Sequence, residues 1–217
     1  MKPTHGGLLD TPPRSFNLKT FGLGLAGAAL CLAGLSTPAF ADGSYSVADG
    51  YVTVEFDGSN YTVNGEAATP PIVITGNNGG NEYTVLIKST DETAEVTLRG
   101  VTMVMASSEP YPVLKTAGSG NVTIELDGDN YLESGLKSAG LQKGNTGNLT
   151  IQDTNGTQGS LKAYGGAGGA GIGGEFGATA SDIIITGAAI VKAEGGEANS
   201  GRGAGAPWPG LLRPRPC

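Results

Sequence analysis

The sequence predicts an all-β chain wound as a parallel β-helix, a solenoid whose successive turns stack along one axis. Three observations carry this. Short runs rich in β-branched residues alternate with glycine and asparagine from Tyr45 onwards, and no window shows a capped helical period. Within the runs, apolar and polar residues alternate, so that Val52, Val54 and Phe56 share one face while Thr53 and Glu55 take the other. Finally, whole segments recur about every 30 residues, the period of a repeat architecture.

The runs predict strands at Tyr51–Phe56, Tyr61–Val63, Ile72–Thr75, Tyr83–Ile87, Glu95–Leu98, Thr102–Met105, Val122–Leu126, Leu149–Gln152, Ser160–Tyr164, Ile183–Thr186 and Ile190–Ala193, each bounded by Gly, Asn, Asp or Ser. Ala-Gly-Leu-Gln at 139–142 returns as Ala-Gly-Ile-Gly at 170–173, an offset of 31. Ser-Leu-Lys-Ala-Tyr at 160–164 returns as Ile-Val-Lys-Ala-Glu at 190–194, an offset of 30. Asn-Val-Thr-Ile at 121–124 returns as Asn-Leu-Thr-Ile at 148–151 and as Asp-Ile-Ile-Ile at 182–185. A longer-range copy pairs residues 54–65 with 124–135, identical at six of twelve positions. A unit of this size cannot bury its own apolar face but can do so stacked on a neighbour. Variable turns between constant strands suit a β-helix better than a propeller, whose blades need four antiparallel strands.

The organisation reads as three parts: a signal peptide over 1–41, a β-helix domain over 42–205 and a non-repeat Pro/Arg tail over 206–217. Lys2, Arg14 and Lys19 precede an uncharged apolar run from Phe21 to Leu35, and Thr37-Pro38-Ala39-Phe40-Ala41 supplies an A-x-A cleavage pattern between Ala41 and Asp42. The alternative, a membrane anchor, wants about 20 apolar residues. Cys31 follows Leu30, where lipid attachment wants a small residue. The expected location is therefore secreted or on the cell surface, with the periplasm as the other compartment, and no transmembrane segment after cleavage. The tail APWPGLLRPRPC departs from the repeat. It is read as a lost coding frame or a truncation that leaves the last turn without its cap, against a natural flexible tail.

Composition excludes several function classes. The whole chain has a formal net charge of −7; cleavage removes three positive charges and one negative (Asp10) and leaves −9. No basic patch is present, so nucleic acid is not an expected partner. The only histidine, His5, lies before the cleavage point, and the part after it keeps one cysteine, Cys217. That part therefore has no Ser-His-Asp triad, no Cys-His pair and no histidine zinc site. No catalytic residue is assigned. The two G-x-G-x-x-G patterns, at Gly166/Gly168/Gly171 and Gly169/Gly171/Gly174, precede a strand rather than a helix and read as repeated turns.

The run GGAGGAGIGG at 165–174, with its flanking strands, resembles the Gly-rich AGIGG repeat of bacterial surface β-helix proteins. Residues 96–135 resemble a related family of secreted bacterial carbohydrate-binding domain proteins. The resemblance covers about residues 94–205 and implies a right-handed β-helix. It also implies acidic plant polysaccharide and calcium as partners; no residue role is carried over from it.

Candidate sites follow from the repeat. Tyr61 and Tyr131 occupy matching places in the longer-range copy, and exposed rings there would stack on sugars, with Tyr51, Tyr83 and Tyr111 extending the row; the alternative is packing at strand ends. Glu125 and Asp127 lie two apart on one strand, with Asp129 in the following turn. Such hard oxygens are the donor set calcium takes, and the alternative is a solvated edge with turn chemistry. An acidic chain would need such a bridging cation to hold an acidic polysaccharide. Arg99, the one arginine between the signal and Arg202, is the candidate base of a pectate-lyase-like enzyme. The leading expectation is a non-catalytic exported protein that binds polysaccharide or a host or cell-surface glycan. A structural adhesin without a sugar site is the second, and the lyase the third.

Overall fold

The computed structural model describes residues 43–197 apart from Glu175. The expected signal peptide with its Ala41–Asp42 junction, and the Pro/Arg tail, lie outside the described residues. Fifteen strands follow in chain order: β1 (Ser44–Ser46), β2 (Val52–Phe56), β3 (Tyr61–Val63), β4 (Glu66–Ala68), β5 (Ile72–Asn77), β6 (Val85–Ser89), β7 (Thr93–Val104), β8 (Leu114–Ala117), β9 (Asn121–Glu133), β10 (Leu141–Gln142), β11 (Leu149–Asp153), β12 (Gly159–Ala167), β13 (Ile172–Gly173), β14 (Ile183–Gly187) and β15 (Ile190–Gly196). Among the described residues there is no helix.

The chain is a parallel β-helix of about five turns. Each full turn presents three faces. The first stacks β1, β5, the early parts of β7 and β9, β11 and β14. The second stacks the ends of β7 and β9 with β12 and β15. The third stacks β2, β6, β8, β10 and β13. Ile72 is level with Val96, Val96 with Ile124, Ile124 with Ile151 and Ile151 with Ile185, so one turn takes from 24 to 34 residues. Turn length varies because the corners absorb insertions while the ladder spacing cannot.

The core follows from the alternation. Ile72, Val96, Ile124 and Ile151 form one inward column of the first face, all buried. Val52, Val85, Leu114 and Leu141 form its counterpart on the third. Each side chain meets the equivalent residue of the turns above and below, which closes the interior without long side chains. The corner between first and second faces needs a left-handed residue. Gly100 (φ 59°) and Gly128 (φ 65°) supply it in adjacent turns, and the ladder shifts register there, between Arg99 and Thr102. This is why two strands expected at Glu95–Leu98 and Thr102–Met105 are one bent strand, β7.

Three corner asparagines knit the turns together. Asn130, 2% exposed, accepts from the Val101 N–H (2.9 Å) and donates to the Ser160 carbonyl (3.1 Å), joining three turns. Asn145 donates to the carbonyls of Gly120, Gly147 and Asn148 and accepts from the Thr116 hydroxyl. Asn78 donates to the Asn81 and Val104 carbonyls. These groups satisfy backbone polar atoms that the corner takes out of the ladders.

One segment leaves the pattern. β2, β3 and β4 run antiparallel, with Val54 opposite Val63 and Val63 opposite Glu66. Asn64 (φ 52°) and Gly65 (φ 83°) form the two-residue turn between β3 and β4, the left-handed pair that a tight hairpin requires. Residues 54–65 therefore fold back as a hairpin, whereas 124–135 continue around a corner. The longer-range sequence match does not correspond to equivalent positions in the solenoid, and this corrects that expectation.

Candidate functional site

A groove of about 650 Å³ runs along the outside of the first face. Its floor comes from the alternation: residues between the buried ones point outward. Thr97, Glu125 and Gln152 stand level in three successive turns, and Glu95 stands level with Thr123. All five line the groove. At spacings of about 4.8 Å per turn, the first three side chains extend over roughly 10 Å along the axis. Tyr61, Pro70 and Pro71, from the hairpin and the chain after it, line the groove at one end, and Thr154 and Asn155 at the other.

Glu125 organises the far end. Its carboxylate accepts from the Thr154 N–H (2.6 Å), the Asn155 N–H (2.9 Å), the Thr154 hydroxyl (2.9 Å) and the Gln152 carboxamide (3.0 Å). Partial burial pushes the carboxyl pKa up, but these bonds, led by the Thr154 N–H, outweigh it and hold the group below the ordinary glutamate value. Glu125 is thus the tie that fixes the Asp153–Gly159 loop.

The three carboxylates proposed as calcium ligands have separate partners. Glu125 holds that loop. Asp127 pairs with Arg99, Nε to Oδ2 at 2.6 Å. Asp129, past the corner, accepts from the Ser160 hydroxyl at 2.6 Å. Among the described residues no group of three or more His, Cys, Asp or Glu forms a metal-ligating cluster. Arg99, the residue named as a candidate base, is the cation of that surface ion pair.

The tyrosines do not form one row. Tyr61 is buried, stacked on Phe56 with ring centroids 4.4 Å apart, and its hydroxyl accepts from the Glu95 N–H at 2.7 Å. Its expected role as an exposed stacking platform is corrected: it is a packed wall residue whose hydroxyl is already engaged. Burial pushes its pKa up. Tyr131 lies on the second face, half-buried, with its ring 5.4 Å from that of Tyr164. Its hydroxyl donates to Glu133 at 2.6 Å, and this bond to a carboxylate pushes its pKa up to about 12. Lys192 sits beside the pair, 5.3 Å from the Tyr164 ring centre and 2.9 Å from Glu194. Tyr51 and Tyr83 meet edge to face at 5.4 Å, at the start of the third face. Tyr111 is exposed.

The groove thus joins one sequence-predicted sugar residue, Tyr61, to one predicted carboxylate, Glu125, and separates both from Tyr131, Asp127 and Asp129. Sequence reasoning did not assign Thr97, Thr123, Gln152, Thr154 or Asn155. The strand alternation marks the first three as outward; nothing local marks the loop.

Fold and groove together define a parallel β-helix protein with a polar groove lined from successive turns. No family model, curated protein or solved structure matches the chain. Among the described residues no helix is long and apolar enough to cross a membrane.

Proposed function

We propose that this is an exported, non-catalytic β-helix protein that binds carbohydrate in the groove of its first face. The observation that supports it is the groove floor, a set of hydroxyl, carboxamide and carboxylate groups repeated along the axis. A saccharide chain presents hydroxyls at regular intervals and complements such a floor. Among the described residues the lining carries Glu95 and Glu125 and no lysine or arginine. This charge favours a neutral glycan; a uronate polymer would need a bridging cation, calcium being the natural one. Export rests on the signal-like residues 1–41.

The test is titration calorimetry of the full chain with neutral and uronate oligosaccharides, each with calcium and with chelator. Thr123→Trp fills the groove floor and Tyr131→Ala removes the ring on the second face. Calcium-independent binding of a neutral oligosaccharide, weakened roughly tenfold or more by Thr123→Trp and unchanged by Tyr131→Ala, is expected. Binding lost in Tyr131→Ala but kept in Thr123→Trp moves the site to the second face and overturns the groove assignment. Failure of every oligosaccharide to bind overturns the function.

A further inference from the structure

Asparagine followed by glycine is a chemically reactive pair. The glycine nitrogen attacks the asparagine side-chain carbon, and a glycine carries no Cβ to obstruct that approach. The step needs three things: a carboxamide turned toward that nitrogen, an NH2 group free to leave, and water at the ring that forms. The chain has three such pairs, Asn64-Gly65, Asn78-Gly79 and Asn155-Gly156, and the fold treats them differently.

Two of them are locked. The Asn64 carboxamide is held against β2, its oxygen accepting from the Thr53 N–H (2.8 Å) and its nitrogen donating to the Tyr51 carbonyl (3.1 Å). Asn78 is 1% exposed. Its nitrogen donates to the Asn81 and Val104 carbonyls, and its oxygen accepts from the Gly80 and Val104 N–H groups. In both, the nitrogen that must leave is anchored, and at Asn78 water is kept out as well.

Asn155 is placed otherwise. It is exposed, in the loop between β11 and β12. Its Oδ1 accepts from the Thr157 N–H at 2.8 Å, a turn that folds the carboxamide forward along the Gly156 peptide and draws electron density from its carbon. Among the described residues neither its Nδ2 nor the Gly156 N–H makes a hydrogen bond, and Gly156 is exposed too. A Cβ built on Gly156 meets nothing within 4 Å, so nothing crowds the attacking nitrogen.

We propose that Asn155 is a self-modification site, which loses ammonia to Gly156 and becomes aspartate and isoaspartate. The Gly156 nitrogen gives its proton to hydroxide and bonds to Asn155 Cγ. The Cγ–Nδ2 bond breaks, ammonia leaves, and a succinimide ring remains. One water opens the ring at either carbonyl, so that amide plus water becomes carboxylate plus ammonium. The position gives this step a consequence. Asn155 lines the far end of the first-face groove, and its N–H holds Glu125 Oε1 at 2.9 Å. A new carboxylate in that turn repels the Glu125 charge, and isoaspartate also lengthens the main chain by one carbon. Both products loosen the Asp153–Gly159 loop and make the groove end more negative. The site stands whether or not that groove binds sugar.

The experiment ages the full chain in mildly alkaline buffer made with heavy-oxygen water, followed by tryptic digestion and tandem mass spectrometry. Cleavage after Lys143 and Lys162 puts Asn145, Asn148 and Asn155 in one peptide, with the buried Asn145 as an internal control. Conversion at Asn155 with heavy-oxygen uptake and isoaspartate among the products is expected, at least roughly tenfold faster than at Asn64, Asn78 or Asn145. In urea the three Asn-Gly pairs should converge, because the fold sets the difference. Gly156→Ala should slow the step by about tenfold or more. Amide exchange at Thr154 should be faster in the aged chain and in Asn155→Asp, with Ile124 unchanged. The proposal fails if Asn155 converts no faster than Asn64 or Asn78, if aspartate forms without isoaspartate, or if Gly156→Ala converts as fast as the native chain. If Gly156→Ala does not fold, the native rates and the product ratio still decide. Unchanged exchange at Thr154 in the converted chain overturns the effect on the loop.

Discussion

Replacing Asn130 by alanine tests whether the corner asparagines hold the turns together. The native side chain accepts from the buried Val101 N–H and donates to the Ser160 carbonyl, with longer contacts to Gly128 (3.2 Å) and Asp127 (3.4 Å) carbonyls. Alanine leaves the Val101 N–H buried without an acceptor, a cost of about 1–3 kcal/mol, and removes the bond to Ser160, a further net 0.5–1.5 kcal/mol or so. The two longer contacts add little, because each carbonyl oxygen keeps a second lone pair. The expected destabilisation is roughly 2–4 kcal/mol. In urea, with a slope of about 2 kcal/mol per molar, the unfolding midpoint should fall by about 1–2 M with no change of slope. Asn130→Asp keeps the acceptor but loses the donor and buries a charge, so it should be worse than alanine at neutral pH and recover as the solution is acidified. A midpoint shift below about 0.3 M for Asn130→Ala would refute the view that this side chain joins the turns.

Other outcomes follow from the same geometry. Glu125 has a lowered pKa in the folded chain, so the stability it lends the Asp153–Gly159 loop is present above the ordinary glutamate value of 4.5 and is lost as pH falls through its depressed folded value. Amide exchange at Thr154 and Asn155 should therefore stay slow at pH 6 and accelerate, relative to core amides, only in that acid range; Glu125→Gln should remove the pH step. Gly118 (φ 93°) sits so close to the Ser89 carbonyl that a Cβ would overlap it, whereas Gly156 (φ 82°) has open space around it. Thermal unfolding should show Gly118→Ala losing about 3 kcal/mol or more and Gly156→Ala only about 1 kcal/mol, and equal losses would contradict the packing described. Ultraviolet titration should find one tyrosine ionising near pH 12, and that step should vanish in Tyr131→Phe.

Much of the β-helix was legible in the amino-acid order, and the reason lies in particular residues. Val122, Ile124 and Leu126 alternate with Thr123 and Glu125 within one strand, so the inward face shows without knowledge of any neighbour. The same was true of Leu149–Gln152. The third face was harder. β10 and β13 have two residues each, too few to display a period, and they are strands only because Leu114, Leu141 and Ile172 stack. β4 was missed, although Asn64-Gly65 signals a tight hairpin to a strand at Glu66. The hairpin also explains why a match at six of twelve positions misled: shared turn chemistry at Asp-Gly and Asn-Tyr serves a fold-back in one place and a corner in the other.

Local order alone determined that these residues form β-strands, that alternate side chains face an axis, and that the repeats stack, because each of those properties is set within a few bonds or by a recurring period. The destination of the outward side chains was decided only in three dimensions. Glu125 meets Thr154 across 29 residues, Tyr61 meets Glu95 across 34, and Lys143 shares a pocket with Lys115 and Thr179 from the turns on either side. Those pairings depend on how many residues each corner absorbs, a length that varies from turn to turn and leaves no local mark.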